Sequence, residues 1–433
     1  MQLYIDLLKR NSNYRYLWLG SLVSQLGDWF NLLASAELIT SITSSEVAIS
    51  YLFLARFLPL FFVSPLAGVL ADRFDRRRIL ILSDVLRGVT VLGFLLIRSP
   101  DQIWALYVLT VVQFCLSAFF TPARSAVIAN IVARDDLVTA NALDSFTWST
   151  MLAMGALLGG IITAVFGKNT AFIMDAGTFV LSAVLIGRVR IIRHVEEGAV
   201  NQSGWFDFID GFRYLWKQPF ILLISVLKGA GSLVWGAVNV LEISFANEVF
   251  PLDDVAWLSG LQIEDGGTAT LGIFYMVVGL GTGLGPLLLR QWLGDGLQRM
   301  ILGISIGFAL MGGGILALGF APTLPIFLVA TFVRTVGTGA LWVFSAVILQ
   351  MIVPNRFRGR VFAFEFALLT LMQSISIFAA GFMQDSLGWS LREATKWMGW
   401  LGIVVAAVWI VVHLRILPLI DRGDVVTVEK GAD

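Results

Sequence analysis

Six ionisable side chains stand inside long apolar runs: Asp28, Glu37, Arg56, Asp175, Lys228 and Arg334. An ion in hydrocarbon costs at least ~2.5–3.5 kcal/mol on insertion scales, so each of these groups needs a partner, water or a function. Asp28 and Arg56 are the first candidates. Poor solvation favours the neutral acid at Asp28, and a nearby guanidinium favours the carboxylate. Opposing influences of that kind suit a group that loads a proton on one side of a barrier and releases it on the other. With a rise of about 1.5 Å per residue, Asp28 lies ~17 Å from the start of its run at Leu17 and Arg56 ~22 Å from the end of its run at Ala71, so a pair is feasible. Glu37 lies further out on the same run as Asp28; it competes for Arg56 and is the reserve proton carrier. Asp175 and Lys228 stand at middle depth, Arg334 somewhat further out. Each can take part in proton coupling or substrate binding, or can pin two helices together. Asp84, Arg87 and Asp144 lie nearer the other end, beside a dense basic turn.

These groups are positioned by membrane-length segments. The chain has 433 residues, 57% hydrophobic and 14% charged, with mean hydropathy +0.83, whereas a soluble domain carries roughly 25% charge. A helix needs about 20 apolar residues to cross a bilayer. Twelve such segments are read: 17–40, 47–71, 79–98, 103–123, 141–166, 169–187, 219–247, 266–289, 299–320, 324–352, 361–383 and 394–417. Twenty-two Lys and Arg fall on one side of this arrangement, against Arg98, Lys168, Arg392 and Lys396 on the other. The positive-inside rule then puts both termini and the 188–218 loop in the cytoplasm of a multi-pass protein of the cell membrane. In that loop Phe208, Ile209, Phe212, Leu215 and Trp216 follow helical spacing, which predicts an amphipathic helix, either on the membrane face or packed on a bundle.

The two halves echo each other. Ser125-Ala126-Val127-Ile128 and Ser345-Ala346-Val347-Ile348 stand 220 positions apart, and Phe146 and Phe366 keep the offset. This fits a duplication of six spans. The division expected is an N-terminal bundle at 1–187, a linker at 188–217 and a C-terminal bundle with a short tail at 218–433.

The turn between the second and third segments reads Gly68-Val69-Leu70-Ala71-Asp72-Arg73-Phe74-Asp75-Arg76-Arg77-Arg78. It resembles the Gly-x-x-x-Asp-Arg-x-Gly-Arg-Arg loop of the major facilitator superfamily, with Asp75 in place of the second glycine. Asn13-Tyr14-Arg15-Tyr16-Leu17-Trp18-Leu19-Gly20, Asp135-Asp136-Leu137-Val138-Thr139-Ala140-Asn141 and Arg358-Gly359-Arg360-Val361 are similar to stretches of its enterobactin-exporter and macrolide-efflux branch. The resemblance runs essentially end to end. It implies an all-α membrane protein, twelve helices in two six-helix bundles, and a transporter working by alternating access, usually an exporter of the drug:proton antiporter type. It also implies a cytoplasmic gate at Gly68, Asp72, Arg73, Arg76, Arg77 and Arg360, with Asp72 facing the start of the eleventh span. Gly155, Gly159 and Gly160 match the glycines of the fifth-helix antiporter motif, with Ala156 in place of its proline; close helix packing explains them equally well. The Arg that many family exporters carry in the fourth helix is absent from residues 106–120, and an Arg stands instead in the tenth, in Arg334-Thr335-Val336-Gly337.

Other classes find little support. Cys115 is the single cysteine and the histidines are His194 and His413, which excludes an intramolecular disulfide and a cysteine metal site. Both histidines are expected at solvated span ends. Gly303-Ile304-Ser305-Ile306-Gly307 fits a hydrolase pattern but lies in an apolar span with no His nearby and no preceding strand. No phosphate loop, nucleic-acid patch or cofactor motif is present, so neither an ATP-driven pump nor a membrane enzyme is expected. Trp148, Trp235, Trp342 and Phe344 are candidates for an apolar cavity wall or for plain core. The expected partners are a small amphipathic or hydrophobic molecule (a drug, macrolide or siderophore), protons and the lipid bilayer, with the protein a monomer. The alternative cargo is a lysophospholipid or other amphiphile moved by a flippase.

Overall fold

A computed structural model describes residues 2–133, 136–190, 213–252, 265–294 and 296–421. Among them the regular elements are all helical. In order come α1 (Gln2–Arg10), α2 (Ser12–Ile42), α3 (Glu46–Arg73), α4 (Arg76–Gly93), α5 (Ile103–Ile131), α6 (Leu137–Thr150), a π-turn (Met151–Gly155), α7 (Ala156–Ile186), α8 (Pro219–Trp235), α9 (Val238–Ser244), α10 (Gly266–Leu293), α11 (Leu297–Phe320), α12 (Leu324–Ile352), α13 (Asn355–Asp385) and α14 (Leu391–Asp421). Ten stretches of the described residues are long and apolar enough to cross a membrane, and one of these, Thr139–Ile186, is 48 residues long. It is broken at Gly167, whose φ of 76° and ψ of 159° no helix accommodates. The 31-residue α2 is not among the ten and carries Asp28 and Glu37. The linker helix expected at 188–217 lies mostly outside the described residues.

Local chemistry sets the helix ends. The Asn11 side chain accepts from the Tyr14 N–H and starts α2. Asp75 does the same for α4, accepting from the Arg78 N–H at 3.1 Å with φ −66° and ψ 109°. An N-cap oxygen satisfies one of the free N–H groups of the first turn. The basic turn therefore closes without the positive φ that a glycine would permit. Pro122, Pro286 and Pro418 sit inside helices, which membrane helices tolerate when neighbouring groups satisfy the freed carbonyls.

The chain forms two compact units. One comprises Met1–Gly204 with Ile243–Gly279, the other Trp205–Glu242 with Leu280–Asp433. This contact division takes a stretch of the second sequence half into the first unit. Within the first unit, α2 packs along α7, while α4 packs on α5 and α7. At one end Tyr14 is fully buried among Leu7, Leu17, Leu80, Phe120 and Val127, and its hydroxyl donates to the Ala140 carbonyl at 2.9 Å. The repeated Ser-Ala-Val-Ile stretches fall in α5 and α12.

Within the second unit, α11 packs on α12 and α14. Backbones touch there: a Cβ built on Gly312 would lie 2.6 Å from the Gly402 carbonyl carbon, whereas one on the adjacent Gly313 meets nothing within 4 Å. We expect Gly312→Ala to lower the melting temperature of the purified protein, since a methyl forced onto backbone costs about 1–3 kcal/mol. Gly313→Ala should leave it unchanged or higher. Equal melting of the two variants, read by scanning fluorimetry, would contradict the close contact.

Candidate functional site

In the first unit α2 presents Ser21, Ser24, Gln25 and Asp28 to a cavity of about 220 Å³, closed on its other sides by Arg87 of α4, α5 and Trp148 of α6. The spacing of those α2 residues, one turn apart, places them on one stripe. At one end of the cavity Arg124 donates to Ser21 Oγ at 2.6 Å and pairs with Asp144 at 2.7 Å, and Asp144 also accepts from Tyr14 at 3.3 Å. Arg124 belongs to the fourth span. The fourth segment read from the sequence ends at residue 123, where the apolar run stops, but α5 continues to Ile131. The fourth helix therefore does carry an arginine.

At the other end Arg87 pairs with Asp84 at 2.5 Å, the two side chains 3% and 0% exposed. Arg87 also donates to Ser117 Oγ at 3.0 Å and lies over the Phe120 and Phe179 rings. Ser182 Oγ donates to the second Asp84 oxygen at 2.6 Å. Asp84 and Arg87 thus form a closed internal pair instead of joining the basic turn, and Asp144 is committed to Arg124.

Asp28 lies between these two clusters. The expected direct pair with Arg56 is replaced by a longer-range arrangement: Arg56 donates to Asn31 Oδ1 at 3.4 Å and stacks on Phe114 at 4.6 Å, while Arg87 and Arg56 both act electrostatically on Asp28. Asp175 is fully buried against the α2 backbone at Gly27. In the same unit Asp175 Oδ2, Asn31 Nδ2 and both polar ends of Gln113 lack a partner. Unpaired buried polar atoms are few in folded proteins and call for an explanation; Asn31 is also the residue that answers Arg56. Glu37 does not compete for Arg56 but pairs with Lys168 at 3.0 Å.

The antiporter-like glycines have a packing function in this structure. A Cβ on Gly155 would lie 2.8 Å from Trp29, one on Gly159 3.1 Å from the Trp29 carbonyl, and one on Gly160 2.8 Å from Gly272 Cα. They let α7 approach α2 and the first part of α10 together. Gly68, Asp72 and Arg73 lie in the last turns of α3, and their side chains, with the expected Asp72 contact, fall outside the described residues. Arg77 donates to the Gly187 carbonyl, Arg76 stands in the first turn of α4, and Arg360 lies over the Phe357 ring at 5.7 Å.

In the second unit the structure supplies two acids that the sequence reading passed over. Glu365 pairs with Lys228 at 3.1 Å and Glu242 pairs with Arg334. Both were legible as lone carboxylates within apolar runs, although each is answered by a cation on a different run. Of the aromatics, Trp148 lines the first-unit cavity and Trp342 lies over Lys228 at 4.7 Å, while Phe344 is buried core. His413 departs from expectation: it is buried and shares a hydrogen bond with Ser305 at 2.8 Å. The serine of the hydrolase-like pattern does then have a histidine, but the pair sits between two membrane-length helices and His413 has no carboxylate partner among the described residues.

Residues 8–426 match the family described as transmembrane secretion effector. The chain belongs to this family of the major facilitator superfamily. It is similar to the MFS-type transporter YfiS of Bacillus subtilis, 27% identical over 382 residues, covering 85% of this chain and 86% of that one. It is 24% identical to the putative bacilysin exporter BacE of Bacillus subtilis over 98% of this chain and 99% of BacE. Macrolide efflux protein A of Streptococcus pyogenes is 23% identical, with 88% and 92% covered. Among solved structures, the nucleoside transporter NupG superposes with TM-score 0.70 at 12% identity, over 95% of this chain and 99% of that one. The chain is thus a major facilitator transporter, and the fold is the one expected.

The two kinds of ion pair should respond differently to mutation. Removing one partner of a buried pair costs about 3–5 kcal/mol, whereas an exposed pair is worth roughly 0–1 kcal/mol. We expect Asp84→Ala to lower the yield of folded protein sharply, and Asp136→Ala, which frees the exposed Arg10, to leave it near wild type. Size-exclusion profiles from solubilised membranes check this; equal profiles would show that Asp84 does not anchor Arg87.

Proposed function

We propose that this chain is a secondary active exporter that uses the proton gradient to move a small amphipathic or hydrophobic molecule out of the cell by alternating access. Twelve spans follow when α2 is counted and the 48-residue stretch is divided at Gly167. The reading has two bundles, 1–187 and 218–433, joined by the 188–217 linker. Both termini are cytoplasmic, in a monomer of the cell membrane. The cytoplasmic gate comprises Gly68, Asp72, Arg73, Arg76, Arg77 and Arg360. Relatives named for bacilysin, macrolide and multidrug efflux support export of such cargo.

One observation carries the coupling: Asp28 opens on a cavity, whereas the other first-unit carboxylates near it are paired or enclosed. Asp84 and Asp144 are held by arginines and have little reason to change protonation. Asp28 feels Arg56 and Arg87 without being locked to either. It can therefore take up a proton in one conformation and lose it in another. Coupling follows only when proton or cargo binds one conformation better than the other, and the unpartnered amide nitrogens of Asn31 and Gln113 supply groups able to rearrange with the charge on Asp28. Asp175 sits behind as an enclosed second acid, and Glu37 is tethered to Lys168.

The test is Asp28→Asn in reconstituted vesicles loaded with erythromycin. Gradient-driven efflux should fall by at least about tenfold, equivalent to roughly 1.4 kcal/mol on the driving step, with protein level and cargo counterflow near wild type. If all transport modes and the folded amount fall together, Asp28 is a helix clamp. Normal proton-driven efflux would remove it from coupling altogether.

A further inference from the structure

The second unit contains two buried cation–acid pairs of different character. Arg334 and Glu242 are 5% and 2% exposed, and the Arg334 backbone is pressed on Gly314, where a Cβ would lie 2.7 Å from the Arg334 nitrogen. A guanidinium does not deprotonate in proteins, so this pair acts as a permanent clamp.

Lys228 is different. Its ammonium sits 3.1 Å from Glu365 and 4.7 Å from the centre of the Trp342 ring. Lys228 and Glu365 are 6% and 4% exposed, but Trp342 keeps 38% of its surface open. A carboxylate and an indole face make a box for a cation, because the ring quadrupole attracts positive charge and the acid neutralises it. At present the box is filled by a tethered amine of the protein itself. Lys228, unlike Arg334, can become neutral.

The same seam carries further polar groups. Ser232 lies one turn beyond Lys228 on α8, and Gln373 lies on the Glu365 side of α13. Ser232 Oγ and Gln373 Nε2 are fully buried without a partner. Both residues flank Gly236, whose Cβ would lie 2.8 Å from the Ser232 carbonyl and 2.9 Å from that of Gln373. Two unpartnered polar groups therefore stand on the same two helices as Lys228 and Glu365. Glu365 from α13 is the charged neighbour facing Lys228, and Trp342 from α12 covers it.

We propose that the Lys228–Glu365–Trp342 box is a site for a lipophilic monocation, and that the cation and the Lys228 proton exclude each other. The incoming cation takes the place between Glu365 and the Trp342 face. The displaced ammonium loses its counter-charge, and holding a lone charge in this apolar setting is costly. Its N–H bond breaks, the electron pair stays on the amine, and the proton passes to water. One positive charge replaces another, so the site keeps its net charge. Re-protonation of Lys228 reverses the exchange and expels the cation. This deepens the export reading by naming a cargo class, and it rests on that reading only for the direction of transport.

The experiment measures tetraphenylphosphonium binding to purified full-length protein in weak buffer with a pH indicator. Wild type should release about one proton per cation bound, by linkage. Lys228→Arg keeps the charge and the pair but holds its proton; it should bind at least about tenfold more weakly and release no proton. Glu365→Gln should lose binding, and Trp342→Leu should weaken it more than Trp342→Phe. Size-exclusion profiles identify any variant that fails to fold, and the wild-type proton count stands independently of all variants. Cation binding without proton release, absence of tetraphenylphosphonium binding, or unchanged release in folded Lys228→Arg would each overturn the proposal. Proton-linked binding in a protein that moves no cargo in vesicles would instead sink the export reading and leave the box intact.

Discussion

A charge cut off from water has to be answered by another group of the protein, and among the described residues four buried cations impose that requirement. Arg87 is met by Asp84 and Ser117, Arg56 by Asn31 and a phenyl ring, Lys228 by Glu365 and an indole, and Arg334 by Glu242. Each answer comes from a defined position on a helix, so the pairings fix helix rotation more tightly than apolar contact alone. Lipid tails are as apolar as leucine and provide no comparable drive for one helix face to choose another. Small residues complete the arrangement by letting backbones touch where charges require closeness, as at Gly27 beside Asp175 and at Gly314 beside Arg334.

The two units use this constraint differently. In the first, acids, arginines, serines and amides form a connected polar interior around a cavity, with several atoms unpaired. A half-satisfied network of that kind is poor at holding a single arrangement, a useful property where protonation must alter structure. In the second, two discrete pairs stand in an apolar surrounding. The arginine pair is suited to rigidity. The lysine pair, beside an indole with open surface, is suited to exchange.

Much of this was legible in the sequence. Apolar run length gave the helices, and the basic turn gave the superfamily. Asp28 stood out because nothing apolar about its surroundings excuses a carboxylate there. Three features were not read. Arg124 lies just past the apolar run that ends at residue 123, and the helix runs about two turns beyond that run, to Ile131. Glu242 and Glu365 do not stand out because each pairs with a cation on another helix, far from it in the chain. The Asp28–Arg56 contact was anticipated from matching depth alone. Depth says nothing of helix rotation, and rotation turns Arg56 towards Asn31 and Phe114. At Asp75, the turn that seemed to need a glycine is made by a side-chain cap, a solution that needs an acceptor atom instead of conformational freedom.

The first unit is discontinuous: it is completed by Ile243–Gly279, chain synthesised well after residue 204. During synthesis, therefore, the surface of α7 around Gly160 must wait for Gly272 to arrive. A bundle of the early helices alone exposes a strip of bare backbone where a helix will later lie, and domains generally begin to fold as they emerge. The packing of α7 is therefore completed only when the later helix covers its glycine-lined face.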